Sequence, residues 1–412
     1  MFLKPHSTPY ENSHKMFKSS ARVGAAVLAL LCSVAPRATN AQQADPKPVT
    51  PLLDFSGLLL GNYRYTYDSL TKLANGGHAA NKFDVERVYL NFRMPAGDDG
   101  SIRVTTDIFN QTASPANAYY AGWTVRLKYA YFQYNFLHDI AGQKGFNATA
   151  RVGMLNTAVI DHEEGFWPRY LSQTAVERNG FFASSDLGIA ALVTLPNKLG
   201  EVYATVANGP GYSVSETDPY KDYSARVSIM PFGARSNILK TFTISPWIYF
   251  GKTASKFLST AGATSDVTDG LKRNREGLFV GLKDRRLTLG VEYAKRTEST
   301  EVGTTLAART VYDNAGTLTS AFAIVRPLEF ADPKKKSPFG LVARLDNLKP
   351  FDNITAAGAQ TIDAANQLII AGVFWDLTSK ATFSIDAQNL TPKGGSTTAK
   401  VKTMFAHMSI AF

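Results

Sequence analysis

Nine basic residues recur at alternate positions within otherwise apolar segments: Arg64, Arg87, Arg93, Arg103, Arg126, Lys128, Arg151, Arg226 and Arg344. In an extended chain, alternate residues share one face, so these cations sit opposite an apolar face. Acids of the same parity are Asp107, Asp186, Asp222, Glu292, Asp346 and Asp386. The bases crowd into the first five such segments. A wall of neighbouring cationic strands would hold a positive potential and favour anions. Alternatively, Arg and Asp on adjacent strands pair and cancel. Both readings stay open at this point.

A second group lies in the long connection Asn156–Phe182, which holds Asp161, His162, Glu163, Glu164, Trp167, Arg169, Glu177 and Arg178. Folded inward, such a loop would constrict a pore with its charges; the plainer alternative is a loop packed on the rim. It has no lysine, and its acids outnumber its bases, which argues against a dedicated phosphate filter. Asp161-His162-Glu163-Glu164 lacks the paired-histidine helical spacing of zinc hydrolases, which leaves a loop Ca²⁺ site as the minor metal reading. Asn208-Gly209-Pro210-Gly211 reads as a turn and not a phosphate cradle, since no strand-to-helix context follows. His407 and Ser409 share a face, but no third partner for nucleophilic catalysis is evident. The expectation is therefore no catalytic set, no metal and no cofactor.

The elements that must position these groups are strands. Phe55, Leu59, Tyr63 and Tyr65 alternate with Ser56, Asn62, Arg64 and Thr66. Val88, Leu90, Phe92 and Met94 alternate with Arg87, Tyr89, Asn91 and Arg93. In the fourth segment Trp123, Val125, Leu127, Tyr129 and Tyr131 are set against Thr124, Arg126, Lys128 and Ala130. The pattern continues to Val401–Phe412 and predicts about 16 strands, each long enough to cross an apolar slab when tilted. The twelfth is weakly patterned, which leaves 14 or 18 as alternatives. Pro246 inside the ninth strand predicts a gap in its ladder, at a bulge. Glu86 falls on the apolar parity of the second strand, which implies a phase shift there or a position above the apolar slab.

Connections alternate in length. Short ones include Pro95–Gly100, Pro196–Leu199, Lys283–Arg286 and Thr378–Lys380. Long ones include Asp68–Lys82, Asn156–Phe182, Gly251–Asn274, Thr297–Ala315 and Lys349–Ala365. Pro95, Pro196, Pro231 and Pro327 all mark the short-turn side, where a residue without an N–H costs no ladder bond. This rhythm fits an up-and-down barrel with short periplasmic turns and long outer loops. The chain stops on a strand at Phe412, as closing strands of bacterial outer-membrane barrels do, which makes Phe412 the expected signal to the outer-membrane assembly machinery. At 44% hydrophobic and 19% charged residues the chain is too apolar for disorder and too polar for a helical membrane bundle.

Lys15, Lys18 and Arg22 precede the apolar run Val23–Val34, and small residues follow to Ala41: the pattern of a cleaved secretory signal over residues 1–41. Met16 is an alternative start. The one cysteine, Cys32, lies in this segment, so the mature chain relies on neither disulfide nor thiol. Removal of residues 1–41 lowers the formal charge from +10 to about +6. Outside the cytoplasm, that basicity does not imply a nucleic-acid partner.

The run from about Phe83 to Phe232 resembles the phosphate-selective porin O and P family. The resembling pieces are FDVERVYLNF (83–92), LKYAYFQYNF (127–136), ARVGMLN (150–156), VYATVANG (202–209) and KDYSARVSIMPFG (221–233). The resemblance implies an outer-membrane β-barrel channel and a homotrimer. The sequence thus predicts an all-β transmembrane barrel over residues 53–412, with residues 42–52 as a periplasmic leader. The expected partners are outer-membrane lipid and small hydrophilic or anionic solutes. The rival reading is a closed barrel acting as adhesin or anchor.

Overall fold

The alternating segments form one antiparallel sheet that closes on itself. The computed structural model describes residues 53–412 except 112–121, 217, 236, 256–269, 306, 333, 351–364 and 394–398. The signal and leader expectations (1–52), Cys32 and the glycine pair 394–395 lie outside the described residues. The strands are β1 (Asp54–Thr66), β2 (Ala80–Pro95), β3 (Gly100–Gln111), β4 (Gly122–Leu137), β5 (Asn147–Asn156) and β6 (Ser185–Leu195). Then come β7 (Gly200–Ala207), β8 (Asp222–Ile229), β9 (Thr243–Thr253), β10 (Leu271–Lys283) and β11 (Leu287–Val302). The last are β12 (Thr310–Val325), β13 (Phe339–Lys349), β14 (Asn366–Asp376), β15 (Ala381–Pro392) and β16 (Val401–Ala411). Each pairs with its sequence neighbours and β16 returns to β1, which makes a closed barrel of 16 strands with no free edge.

Closure leaves no unpaired sheet edge, as a sheet surrounded by hydrocarbon requires. The faces are inverted relative to a protein dissolved in water. Along β13, Phe339, Leu341 and Leu345 are exposed on the outside, whereas Val342, Arg344, Asp346 and Leu348 are buried inside. The seam between β1 and β16 is locked by Phe412: Gly57 N–H donates to its carbonyl at 2.8 Å, and its own N–H donates to Gly57 O at 3.0 Å. The Phe412 ring lies over Gly57, where a Cβ would run into it, and beside Phe55 at 6.2 Å between centroids.

Several expectations are corrected. Tyr129 and Tyr131 do not face outward: they are buried on the inner face. The β3–β4 register shifts between Thr105 and Thr106, leaving Lys128 unpaired between Leu127 and Tyr129. This bulge turns Lys128 and Tyr129 inward together and flips the parity beyond. At Glu86 the phase-shift alternative holds: Leu60 pairs with Arg87 and Gly61 with Val85, so Glu86 is the extra residue, and Asn62 Nδ2 donates to it at 3.4 Å. Pro246 does open its ladder, between the pairs Arg226–Trp247 and Ile229–Ile244, but the register is unchanged and no bulge forms. The predicted loop Thr297–Ala315 is mostly strand, because β11 and β12 extend past the rest as a long hairpin.

The largest correction concerns the inside. From β9 to β14 the inner face carries a row of apolar side chains, with Trp247, Phe279, Leu318, Val342, Leu368 and Ile370 all buried beside the polar Ser245, Glu292, Arg344 and Asp346. Period-two counting predicts a wetted lumen there. Instead, the connection between β5 and β6 folds inward and packs on this half of the wall, so Val159, Ile160, Trp167, Leu171, Val176 and Phe181 are buried too.

Candidate functional site: the inward loop and the basic wall

The inward loop is residues 157–184, with short helices Ile160–Glu164 and Ala175–Arg178. Its acidic run does not converge. Asp161 accepts from Tyr129 OH at 2.6 Å on β4, and His162 Nε2 meets Ser245 Oγ at 2.9 Å on β9. Glu163 shares a hydrogen bond with the carboxyl of Glu292 on β11, and Glu164 takes Arg169 Nη1 at 2.5 Å. Four consecutive side chains thus go to four partners, which overturns the shared Ca²⁺ sphere considered from sequence. Among the described residues no group of three His, Cys, Asp or Glu side chains could hold a metal ion.

Each link has a physical cause. Glu163 is 2% exposed. Burial, and then the Glu292 carboxyl beside it, hold its proton well above the usual carboxylate range. Burial, with Arg226 nearby, keeps His162 neutral by pushing its pKa well below the ordinary histidine value. His162 docks where Pro246 leaves the β8–β9 ladder open, and Ser228 and Ser245 bridge that gap at 2.8 Å. Arg169 also clamps Glu177, at 2.5 and 3.1 Å, and so ties the two short helices together. Arg178 is exposed at the helix end.

Two of the nine predicted basic residues serve as anchors for this loop. Arg226 is 5% exposed, donating to Ala158 O at 2.6 Å and pairing with Glu201 at 2.5 Å. Arg344, 3% exposed, makes a two-pronged pair with Asp346 and donates to Gln173 O at 2.7 Å, with its guanidinium over the Trp167 ring. Both lie on the inner face, where their charges are taken up by a carboxylate and by loop carbonyls. Gln388 Nε2 on β15 adds a bond to Leu171 O at 2.9 Å.

The facing wall, β1 to β5, is built differently. Arg64 pairs with Asp84 at 2.5 Å. Arg87 and Arg126 share Asp107, at 2.7 and 2.9 Å, and both lie over the Phe109 ring. Tyr212, from the β7–β8 connection, completes this cluster by accepting from Arg126 at 2.6 Å and donating to Asp107 at 3.2 Å. Among the described residues, Arg93, Arg103, Lys128 and Arg151 form no ion pair. Arg103 reaches only Thr105 and Asn91, and stands over the Tyr129 ring at 4.4 Å. Arg151 reaches Gln133 and Asn156 and lies over Tyr131 and Tyr203. Lys128, almost buried in its bulge, sits over Tyr89 at 4.4 Å. Arg93 is exposed beside Arg103, its register partner. The two readings of the basic set each describe part of it: five cations are ion-paired with carboxylates, two of them sharing Asp107, and four are not.

Below the loop, on the short-turn side, a cavity of about 570 Å³ is lined by Arg93, Arg103, Arg151 and Arg226 facing Asp54, Asp98, Asp161 and Glu201. Alternation placed Tyr89 and Tyr203 on the inner parity, but Tyr129, Tyr131 and Tyr212 were missed as wall residues. It assigned Tyr129 and Tyr131 to the outside, and Tyr212 lies in a connection. The glycines of the 208–211 turn do bind an anion of a kind: Gly209 and Gly211 N–H donate to the Asp186 carboxylate at 2.7 and 3.3 Å. His407 pairs with Asp386 at 3.0 Å and not with Ser409; stacked on Phe405, it is buried in the β15–β16 wall.

No protein-family model matches the chain, and no curated protein sequence matches it. Solved structures do. OmpF of Salmonella typhi, in complex with daunomycin, superposes with a TM-score of 0.57 at 11% identity, covering 87% of this chain and 97% of that one. An anion-selective porin from Comamonas acidovorans gives 0.55 at 11% identity, with 88% and 100% covered. OmpT, an outer membrane protein of Vibrio cholerae in its trimer form, gives 0.53 at 11%, with 88% and 100% covered. At such identity the likeness is one of fold: the chain has the 16-stranded barrel of outer-membrane porins.

Proposed function

We propose that this protein is an outer-membrane pore for passive diffusion of small hydrophilic solutes, with a preference for anions. The supporting observation is the asymmetry across the lumen. One half of the wall is filled by the inward loop, and the other carries Arg93, Arg103, Lys128 and Arg151 without carboxylate partners. Cations that no carboxylate pairs directly raise the local anion concentration along a pore. Flux then needs no cofactor, because polar wall groups replace part of the solute's hydration while the gradient drives transport.

The finer parts of the reading belong to the same proposal. Residues 1–41 serve as the export signal, and the resemblance of residues 83–232 to the phosphate-selective O and P family suggests phosphate among the anions. The acidic clamp Glu164–Arg169–Glu177 favours a general anion pore over a phosphate filter. A homotrimer fits the porin fold. The rival, a plugged barrel, draws on the filled half-lumen.

Reversal potentials across a planar bilayer in a KCl gradient test the proposal. The expected sign is that of anion preference, with Arg103→Ser and Arg151→Ser each reducing the anion-to-cation permeability ratio about twofold, an effect of under 1 kcal/mol. A cation-selective wild type contradicts the proposal.

A further inference from the structure

The outer wall carries an apolar groove at its short-turn end that the pore does not use. It has a volume of about 540 Å³ and is lined by Leu328, Phe339, Leu341, Val373, Trp375 and Ile385, among others, on β13, β14, β15 and the β12–β13 turn. All six are strongly exposed, and Phe339 stacks on Trp375 at 5.6 Å. Aromatic rings at a strand end are suited to the headgroup level of a bilayer.

The two turns that bound the groove are basic. Lys334, Lys335 and Lys336 run consecutively just before Phe339, and Lys380 stands just before the groove residue Phe383. All four are exposed, and among the described residues none forms an ion pair. Of the acids in these turns, Glu329 is buried and held by Arg285 at 3.0 and 2.6 Å, and Asp376 is taken by Arg326 at 2.5 Å. Only Asp332 is left as an exposed acid. The turn is also a built platform: Ser337 N–H donates to Glu329 at 2.8 Å, and Arg285 bonds back to Ser337 O at 3.2 Å. It therefore presents its lysines, and the exposed Leu328 and Phe330, from a fixed base.

We propose that this groove binds an anionic phospholipid of the leaflet on the short-turn side, with the phosphate at the lysines and an acyl chain against Phe339, Leu341 and Trp375. Charge complementarity selects the occupant: a bare apolar face accepts any lipid, but unpaired lysines directly beside it favour a headgroup with net negative charge. A second copy docking by twofold symmetry would set these lysines against their own counterparts, a repulsive contact. The inference rests on the membrane reading above but not on any solute preference.

Fluorescence quenching by brominated acyl chains tests it in the full-length protein reconstituted in vesicles, with Trp123→Phe removing the other outward tryptophan. Brominated phosphatidylglycerol at 10 mol % in unbrominated phosphatidylcholine is expected to quench at least twice as strongly as brominated phosphatidylcholine at the same fraction. The excess is lost on adding Trp375→Phe, and also in K334Q/K335Q/K336Q/K380Q. In the parent, 0.5 M NaCl reduces it, a readout that needs no lysine variant. Equal quenching by the two lipids, or an excess that survives the lysine substitutions, overturns the proposal while leaving the barrel in the membrane. Quenching of Trp375 by neither lipid, with Trp123 still quenched in the wild type, means that a second copy covers the groove and also overturns it. No quenching of either tryptophan removes the membrane reading itself.

Discussion

Glu163 sits where a carboxylate should not, 2% exposed against a second carboxyl group on the barrel wall. The pair is tolerable because one proton is shared between the two groups. The docked loop therefore holds a proton that an undocked loop releases above the ordinary glutamate value of 4.5. Since the docked state binds more protons, docking is strongest below that value and weakens as pH rises above it. Limited proteolysis of the loop should become faster from pH 5 to pH 9 in the wild type. In Glu163→Gln, which keeps a hydrogen-bond donor without the charge, this acceleration should be lost, leaving only the opposite trend of His162, whose depressed pKa strengthens docking as pH rises. An unchanged pH dependence in the variant removes Glu163 as the cause.

The inward loop acts as a unit because its apolar side chains meet an apolar wall. Trp167 is its largest anchor: it packs on Phe322 at 5.1 Å, donates to Ser172 O at 3.0 Å and lies under Arg344. Trp167→Ala should cost about 3–5 kcal/mol of docking energy. It should appear as larger conductance with frequent flicker; steady wild-type currents would argue that the loop is held elsewhere. The strands were legible from alternation, because one exposed and one buried face imposes a period of two on each. The bulge at Glu86 showed as a charge on the apolar parity, but the one at Lys128 did not, since an extra residue that leaves no mark on composition still turns all that follows to the other side. The apolar inner face of β9–β14 was hidden for another reason. A strand apolar on both faces has no parity to read, and Leu368–Phe374 looks the same whether its inner face meets water or a loop. The loop itself was recognisable as a candidate by length and charge. Its true anchors, Ser245, Glu292, Arg344 and Gln388, come from strands scattered along the chain and become neighbours only when the sheet closes.

For the whole molecule, closure and filling oppose each other. Sixteen strands enclose a wide lumen, and the loop occupies one side of it. In the proposed pore the passage runs between Glu164–Arg169–Glu177 and the wall of Arg87, Arg103, Arg126 and Lys128; Glu164 and Arg169 lie near enough to Tyr89 to act on it electrostatically. A charge gradient across a narrow passage orders permeating ions and water, and gives selectivity without a tight site. Basic residues at the seam of an open channel and basic residues neutralised inside a plug look identical in composition, so only transport separates them. The most direct measurement is single-channel recording of the purified wild type in symmetrical KCl. Discrete, ohmic conductance steps are predicted; a bilayer that stays silent despite verified insertion would contradict the account and leave a sealed barrel in its place.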